Sequence, residues 1–286
     1  MISKRTALAI AVSGGLLVLV LYVADIGAID LSQIQPAYLP LAVLAYLAVL
    51  VLRATLLRHL AQGATDLRFR TWLALAARHQ FVFTLAPSGS GDLAFPVLAN
   101  RMVGVTLGQG TALIAGSRLR DICAILGLGF IGLSATGAAP ILMVEAAVLC
   151  GFALYFSDVT GAFIAQLLRR DVSDAPPPGR ALAALLTCLI WLSASGAIAA
   201  AFAAAGHPLT HYETFVMLAG LNIAGALAVS IGGLGIAEAG AAGVLAFLGM
   251  PLAEAAAIAL VARPILLLTN VAASGLTELC LRATPR

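Results

Sequence analysis

The sequence predicts an all-α polytopic membrane protein with about six transmembrane helices and two re-entrant helical hairpins, organised as an inverted internal repeat. Three observations lead there. The chain of 286 residues is 62% hydrophobic and only 10% charged, whereas a soluble domain carries about 25% charged residues. With a mean hydropathy of +1.04, it has too little polar surface to cover a water-facing exterior. Apolar runs long enough to span a bilayer recur along the chain. Two further runs are interrupted by glycine-rich breaks whose surroundings match each other. A soluble enzyme, a nucleic-acid-binding domain and a disordered chain are excluded by composition. The net charge of +3 is spread over single or paired basic residues, with no basic tract, so no nucleic-acid partner is expected.

A spanning helix needs about 20 mostly apolar residues. Segments 6–24, 37–57, 121–139, 141–157, 181–205 and 254–280 meet that need. The first runs into Asp25 and Asp30 without a small-residue cleavage site and reads as a retained span. Basic residues collect on the cytoplasmic side of a membrane. Lys4 and Arg5 precede the first span; Arg53, Arg58, Arg68 and Arg70 follow the second; Arg169, Arg170 and Arg180 flank the hydrophilic stretch before the fifth; Arg282 and Arg286 end the chain. These charges place both termini in the cytoplasm. A single transmembrane domain, 1–286, then consists of halves of about 1–157 and 181–286 joined by a cytoplasmic linker, 170–180. Lys4 is the only lysine against fifteen arginines, and with the abundant alanine this points to a GC-rich bacterial genome and a bacterial cytoplasmic membrane. Cys123, Cys150, Cys188 and Cys280 lie far apart in apolar segments and read as packing residues.

Segment 72–100 breaks at Pro87-Ser88-Gly89-Ser90-Gly91-Asp92, and segment 214–249 breaks at Ile231-Gly232-Gly233-Leu234-Gly235 ahead of Glu238. Such residues do not extend a helix. Irregular backbone survives at membrane depth only where protein or a watery cavity satisfies it, so both segments read as re-entrant hairpins. After each break comes the same order of parts. Gly104-Val-Thr-Leu107 precedes Arg118 at the spacing by which Gly249-Met-Pro-Leu252 precedes Arg263, with Asp92 and Glu238 upstream. The charge-based topology sends the two hairpins in from opposite faces, which is the arrangement of inverted-repeat transporters.

Arg118 and Arg263 are then expected near the middle of long helices that start after the repeat glycines. A central arginine costs about 2.5–3.5 kcal/mol on insertion scales, so it needs a partner or a task. Asp92, Glu238 and Asp121 are the candidate partners. Satisfied ion pairs tying hairpins to helices are one reading. The other is a midplane site for an anionic group, where a guanidinium offers a planar fork suited to phosphate and Gly89, Gly91, Gly233 and Gly235 leave backbone N–H groups free to join it. The two are compatible. Arg78, His79, Asn100 and Arg101 flank the first hairpin as a possible polar lining, with snorkelling an equal reading for the arginines. Asn222 and Asn270 are expected to hydrogen-bond between helices.

Three other chemistries are weighed against these residues. Gly89-Ser90-Gly91-Asp92 spells the Gly-x-Gly-Asp of intramembrane aspartyl proteases, but Asp25, Asp30 and Asp66 fall in loops and leave Asp92 without the second aspartate such chemistry needs. Ser88 or Ser90 as a nucleophile would need a histidine base, and only His79, on the same hairpin, is available. His207 and His211 with Glu213 have ligand-like spacing but sit at a loop edge beside Pro208 and read as an interfacial polar cluster. No phosphate-binding Gly-Lys-Ser/Thr loop occurs. No catalytic residue, metal or cofactor is expected.

At these residues the sequence resembles the lysylphosphatidylglycerol synthase transmembrane family, also called flippase-like, over nearly the whole chain. That family shows Pro-x-Arg-x-Gly-Glu, then Glu-Arg-x-x-Asp, then Pro-x-Pro-Gly-Gly-x-Gly-x-x-Glu followed by an arginine. Here these correspond to Pro87 with Gly91-Asp92, Arg118 with Asp121, Gly232-Gly233 with Gly235 and Glu238, and Arg263. Gly89 stands where the family often has arginine, Ser117 replaces glutamate, and the proline before the second glycine pair is missing. The resemblance implies movement of a lipid or polyprenyl phosphate between leaflets, with an anionic membrane lipid as partner. It does not imply lipid aminoacylation, because the soluble transfer domain of the full-length synthases is absent. The alternative is a non-catalytic accessory subunit of a lipid or glycolipid pathway, with a membrane enzyme as partner.

Overall fold

The computed structural model describes residues 4–24, 31–61, 67–85, 90–137, 139–158, 179–227 and 234–283. The hairpin breaks at 86–89 and 228–233, with Gly89 and Gly233, lie outside that set, as do Asp25, Asp30, Asp66 and linker residues 170–178. Among the described residues the chain is all-α: α1 (Lys4–Val23), α2 (Leu39–Leu60), α3 (Phe69–Leu85), α4 (Ser90–Val103), α5 (Leu107–Ser134), α6 (Pro140–Tyr155), α7 (Arg180–Ala204), α8 (His211–Leu227), α9 (Ile236–Phe247) and α10 (Leu252–Ala283). Two short 3-10 turns, Leu31–Gln33 and Pro36–Tyr38, lead into α2.

Pro36–Leu60, Arg180–Ala204 and Leu252–Ala283 are long and apolar enough to cross a membrane. The expected span 121–139 is corrected: it is the second half of α5, which begins at Leu107. Arg118 and Arg120 depress the hydropathy of its first half, which is why an apolar window starts too late. The true start is fixed by a reciprocal cap, in which Gln109 N–H donates to the Thr106 hydroxyl and Thr106 N–H donates to the Gln109 side chain. Thr210 and Glu213 form the same device ahead of α8. Glu213 therefore serves a helix start.

Helices α2 and α7 pack along each other near the centre, and α10 lies against both. The first arm of each broken segment packs on the long helix of the other half: α3 on α10, and α8 on α5. The second arms stay with their own half, α4 on α5 and α9 on α10. Of the outlying helices, α6 packs on α5 of its own half, whereas α1 packs on α9 and α10 of the other. Small residues permit these approaches. A Cβ on Gly132 would lie 2.6 Å from the Tyr212 carbonyl oxygen, and one on Gly129 would lie 2.6 Å from the Ala219 Cβ, so α5 and α8 touch nearly backbone to backbone. Buried alanines 255, 256, 257, 259 and 262 do the same for α10. Trp72, Phe95 and Phe202 are fully buried, whereas Tyr22, Leu93 and Ile141 on the outside are at least three-quarters exposed. An apolar exterior around an alanine-rich interior suits a lipid solvent.

Gly104 and Gly249, the glycines of the sequence match, both adopt left-handed backbone, at φ +77° and +100°. Each ends a short second arm and turns the chain into a long helix, a step that a side chain would strain.

Candidate functional site

The turn at Gly104 sets where Arg118 falls. Arg118 is the twelfth residue of α5 and Arg263 the twelfth of α10. Asp92 and Glu238 are each the third residue of α4 and α9. They sit in first turns, where the helix dipole favours an acid, rather than at a loop tip.

The structure brings Arg118, Asp92 and Asp121 together. Arg118 Nε donates to Asp92 Oδ2 at 2.8 Å and Nη2 donates to Oδ1 at 2.6 Å, a bidentate pair. Its Nη1 donates to Asp121 Oδ2 at 3.2 Å, one turn along the same helix. The guanidinium lies 4.5 Å from the centroid of the Phe83 ring, on the α3 side of the hairpin. His79 Nε2 is 3.4 Å from Asp92 Oδ1 but makes no hydrogen bond in this geometry. The hairpin closes tightly here, since a Cβ on Gly91 would fall 2.5 Å from the Phe83 Cα.

Two residues that sequence reasoning did not select complete the cluster. Arg53, counted above among the charges flanking the second span, lies inside α2. Its Nη1 donates to Asp121 Oδ1 and Oδ2 at 2.9 and 3.0 Å and to Ser117 Oγ at 2.8 Å. Trp191 of α7 donates from Nε1 to Asp121 Oδ1 at 2.8 Å and presents its ring 5.9 Å from the Arg53 guanidinium. Asp121, 3% exposed, thus takes two cations and an indole N–H. Ser117, at the position where a glutamate was expected from the family pattern, still accepts a bond from an arginine. The signal for Arg53 was present, an arginine inside a predicted span, but a tally of flanking charges absorbs it. Replacing Trp191 with Phe, which deletes the indole donor and part of the ring, is expected to lower stability by at least about 1–2 kcal/mol, measured by unfolding in detergent.

Arg118 and Asp92 keep partial access, at 29% and 31% exposure. Two carboxylates against two guanidiniums give a locally balanced cluster in which Asp121 is the fixed inner anion and Asp92 the outer one. An incoming phosphate could take the outer position.

The second half differs. Glu238 is 3% exposed and its Oε2 has no hydrogen-bond partner. Arg263 is half-buried on α10 and, with Asn270, faces Tyr46 of α2. Pro264 follows Arg263 and removes one backbone donor from α10 at that level. Gly235, at φ +79°, lies against the α1 backbone at Ser13, where a Cβ would collide. No ion pair joins Arg118 with Glu238 or Arg263 with Asp92 among the described residues.

Flanking residues resolve into structural roles. Arg78 forms a bidentate pair with Glu278 at 2.6 and 3.3 Å, tying α3 to α10. Asn100 donates to the Val105 carbonyl at 2.8 Å and stops α4. Asn222 donates to Leu218 on its own helix, correcting the interhelical expectation for it. His207 and His211 join no metal-binding group among the described residues.

An all-α membrane protein with a buried arginine–carboxylate cluster linking a broken helix to a long one is the class that this geometry defines. The family model for the lysylphosphatidylglycerol synthase TM region matches residues 6–274, and the chain belongs to that family. No curated protein and no solved structure matches it. Membership supports a membrane location and a lipid-related role.

Proposed function

We propose that the protein moves an anionic, phosphate-bearing lipid, of phospholipid or polyprenyl phosphate type, between the leaflets of a bacterial cytoplasmic membrane. It does so as a transporter rather than an enzyme. The headgroup occupies a polar cavity near the midplane while the tails stay in the bilayer. One observation carries this reading: Arg118, part-exposed and mid-helix, is held bidentately by a carboxylate from a different helix. Phosphate offers the same fork of oxygens as that carboxylate, so ligand and Asp92 compete for one guanidinium. Displacement frees α4, and α4 carries the hairpin.

An inverted repeat with re-entrant hairpins fits the packing, since each broken segment leans on the long helix of the other half and the matching glycines share a backbone conformation. Exchange of the two halves' conformations would then carry access from one face to the other. In this scheme Asp92 and Glu238 are gates that trade partners with Arg118 and Arg263, and the backbone N–H groups near Gly89, Gly91, Gly233 and Gly235 join the headgroup.

The test is reconstitution into liposomes with fluorescent phosphatidylglycerol, following its movement between leaflets by quenching. Wild-type protein is expected to exceed protein-free liposomes and to move a phosphatidylcholine analogue more slowly. Arg118→Ala is expected to lose about tenfold or more in rate, equivalent to roughly 1.4 kcal/mol or more, and Arg118→Lys to retain part of it. Unchanged exchange in Arg118→Ala would remove the assigned site.

A further inference from the structure

A second group of charges lies on the other side of α5 from Arg118. Arg120 follows Arg118 by two positions, about 200° around the helix, so the two guanidiniums leave α5 on opposite faces. Arg120 is 6% exposed. Its Nη1 donates to the Gly116 carbonyl of its own helix at 3.1 Å, which is its one hydrogen bond among the described residues. Asp158, just past the end of α6, and Asp121 act on it through space, and neither forms an ion pair of 4.0 Å or less with it. Asp158 is held instead by Arg180, the first residue of α7, whose Nε donates to Oδ2 at 2.7 Å. The other oxygen, Oδ1, is buried and has no hydrogen-bond partner.

Charge and bonding both set this group apart from the Arg118 cluster. There, two guanidiniums meet two carboxylates. Here, Arg120 and Arg180 meet Asp158 alone, because Asp121 is bonded to Arg53 and Arg118. A guanidinium has five N–H donors, and one backbone carbonyl leaves most of those on Arg120 unmet. Buried charge without a matched partner is costly, yet an unmet acceptor, Asp158 Oδ1, stands nearby. The two do not reach each other. Whatever satisfies both must accept from the guanidinium on one side and donate to the carboxylate on the other. The surplus positive charge favours an anion, and phosphate oxygens suit the planar fork of an arginine. A phosphate with no hydroxyl would meet Asp158 as a like charge, and a choline headgroup has no O–H to give it. A hydroxylated phosphate ester meets both needs. Tyr155 and Phe156, 43% and 45% exposed at the end of α6, are rings of the kind that stand at headgroup depth, and the Arg180 guanidinium lies 5.6 Å from the Phe156 centroid.

We propose that Arg120 and Asp158 form a second ligand site, between α5 and α6 at the start of α7, for a phosphate ester whose headgroup carries a hydroxyl. The phosphate accepts from Arg120, and the hydroxyl donates to Asp158 Oδ1. Arg180 keeps its bond to Oδ2 and holds the carboxylate in position. The site is defined by binding and stands whether or not the protein moves lipid.

Native mass spectrometry of the full chain in detergent, with excess phosphatidylcholine as competitor, reads it directly. The probes are phosphatidylglycerol, phosphatidylethanol (the same charge without the hydroxyls) and soluble glycerol 3-phosphate. Arg120→Gln is expected to weaken phosphatidylglycerol binding about tenfold or more, as for the loss of a charge-assisted hydrogen bond, with helix content unchanged by circular dichroism. Arg120-dependent binding of the lipid names a membrane source for the ligand, and of glycerol 3-phosphate a soluble one. Binding of both probes that ignores Arg120→Gln would overturn the site and leave a bridging water in its place. Asp158→Asn is the second variant, needed if Arg120→Gln is not recovered folded. It is expected to lose the preference for phosphatidylglycerol over phosphatidylethanol severalfold, and an unchanged preference overturns the site equally. Arg118→Ala separates this proposal from the translocation reading. Binding that falls with Arg120→Gln, beside leaflet exchange untouched by Arg118→Ala, would support this site and sink the other.

Discussion

Asp121→Ala is expected to destabilise the folded protein by about 3–5 kcal/mol, the range for removing one partner of a buried ion pair. Asp121 takes Arg53 and Arg118 at 2.9–3.2 Å and the Trp191 indole at 2.8 Å, from three helices. Its removal leaves Arg53, 14% exposed, beside Ser117 as its remaining hydrogen-bond acceptor in the cluster. Asp121→Asn keeps the shape and one carbonyl for the indole, so it is expected to cost less. Equilibrium unfolding in mixed micelles measures both. A loss under about 1 kcal/mol for Asp121→Ala would mean the cluster does not hold α2, α5 and α7 together.

Gly91→Val is expected to abolish lipid exchange while leaving helix content intact. The new Cβ would lie 2.5 Å from the Phe83 Cα and 2.9 Å from its Cβ. Backbone stands on both sides, so no rotamer relieves the clash, and the hairpin must open. Opening carries Phe83 off the Arg118 guanidinium and Asp92 off its bidentate bonds. Circular dichroism checks the helix content, and fluorescent phosphatidylglycerol the exchange. Gly91→Val exchanging at the wild-type rate would show that a closed hairpin is not needed.

The all-α membrane character was legible because lipid imposes a simple code in which long apolar runs span; the two breaks fall on residues 86–89 and 228–233, outside the described residues. The pairing of Arg118 with Asp92 and Asp121 was legible because one partner is a turn away on the same helix and the other is the carboxylate that follows the first glycine-rich break. Arg53 and Trp191 were not. They meet Asp121 across 68 and 70 residues of sequence, and no local spacing encodes which faces of α2, α5 and α7 converge. The start of α5 was misplaced for a related reason, since Arg118 is satisfied by another helix and a hydropathy window counts it as unpaid. Asn222 bonds to the carbonyl four residues back on its own helix, a choice of partner that no pattern in the sequence sets.

The Trp191 contact to Asp121 bears on biosynthesis. At about 5–20 residues per second, the ribosome delivers Trp191 roughly 4–14 s after Asp121, because 70 residues separate them. Arg53 precedes Asp121 by 68 residues, so of the two partners that reach this carboxylate from other helices it is the one synthesised first.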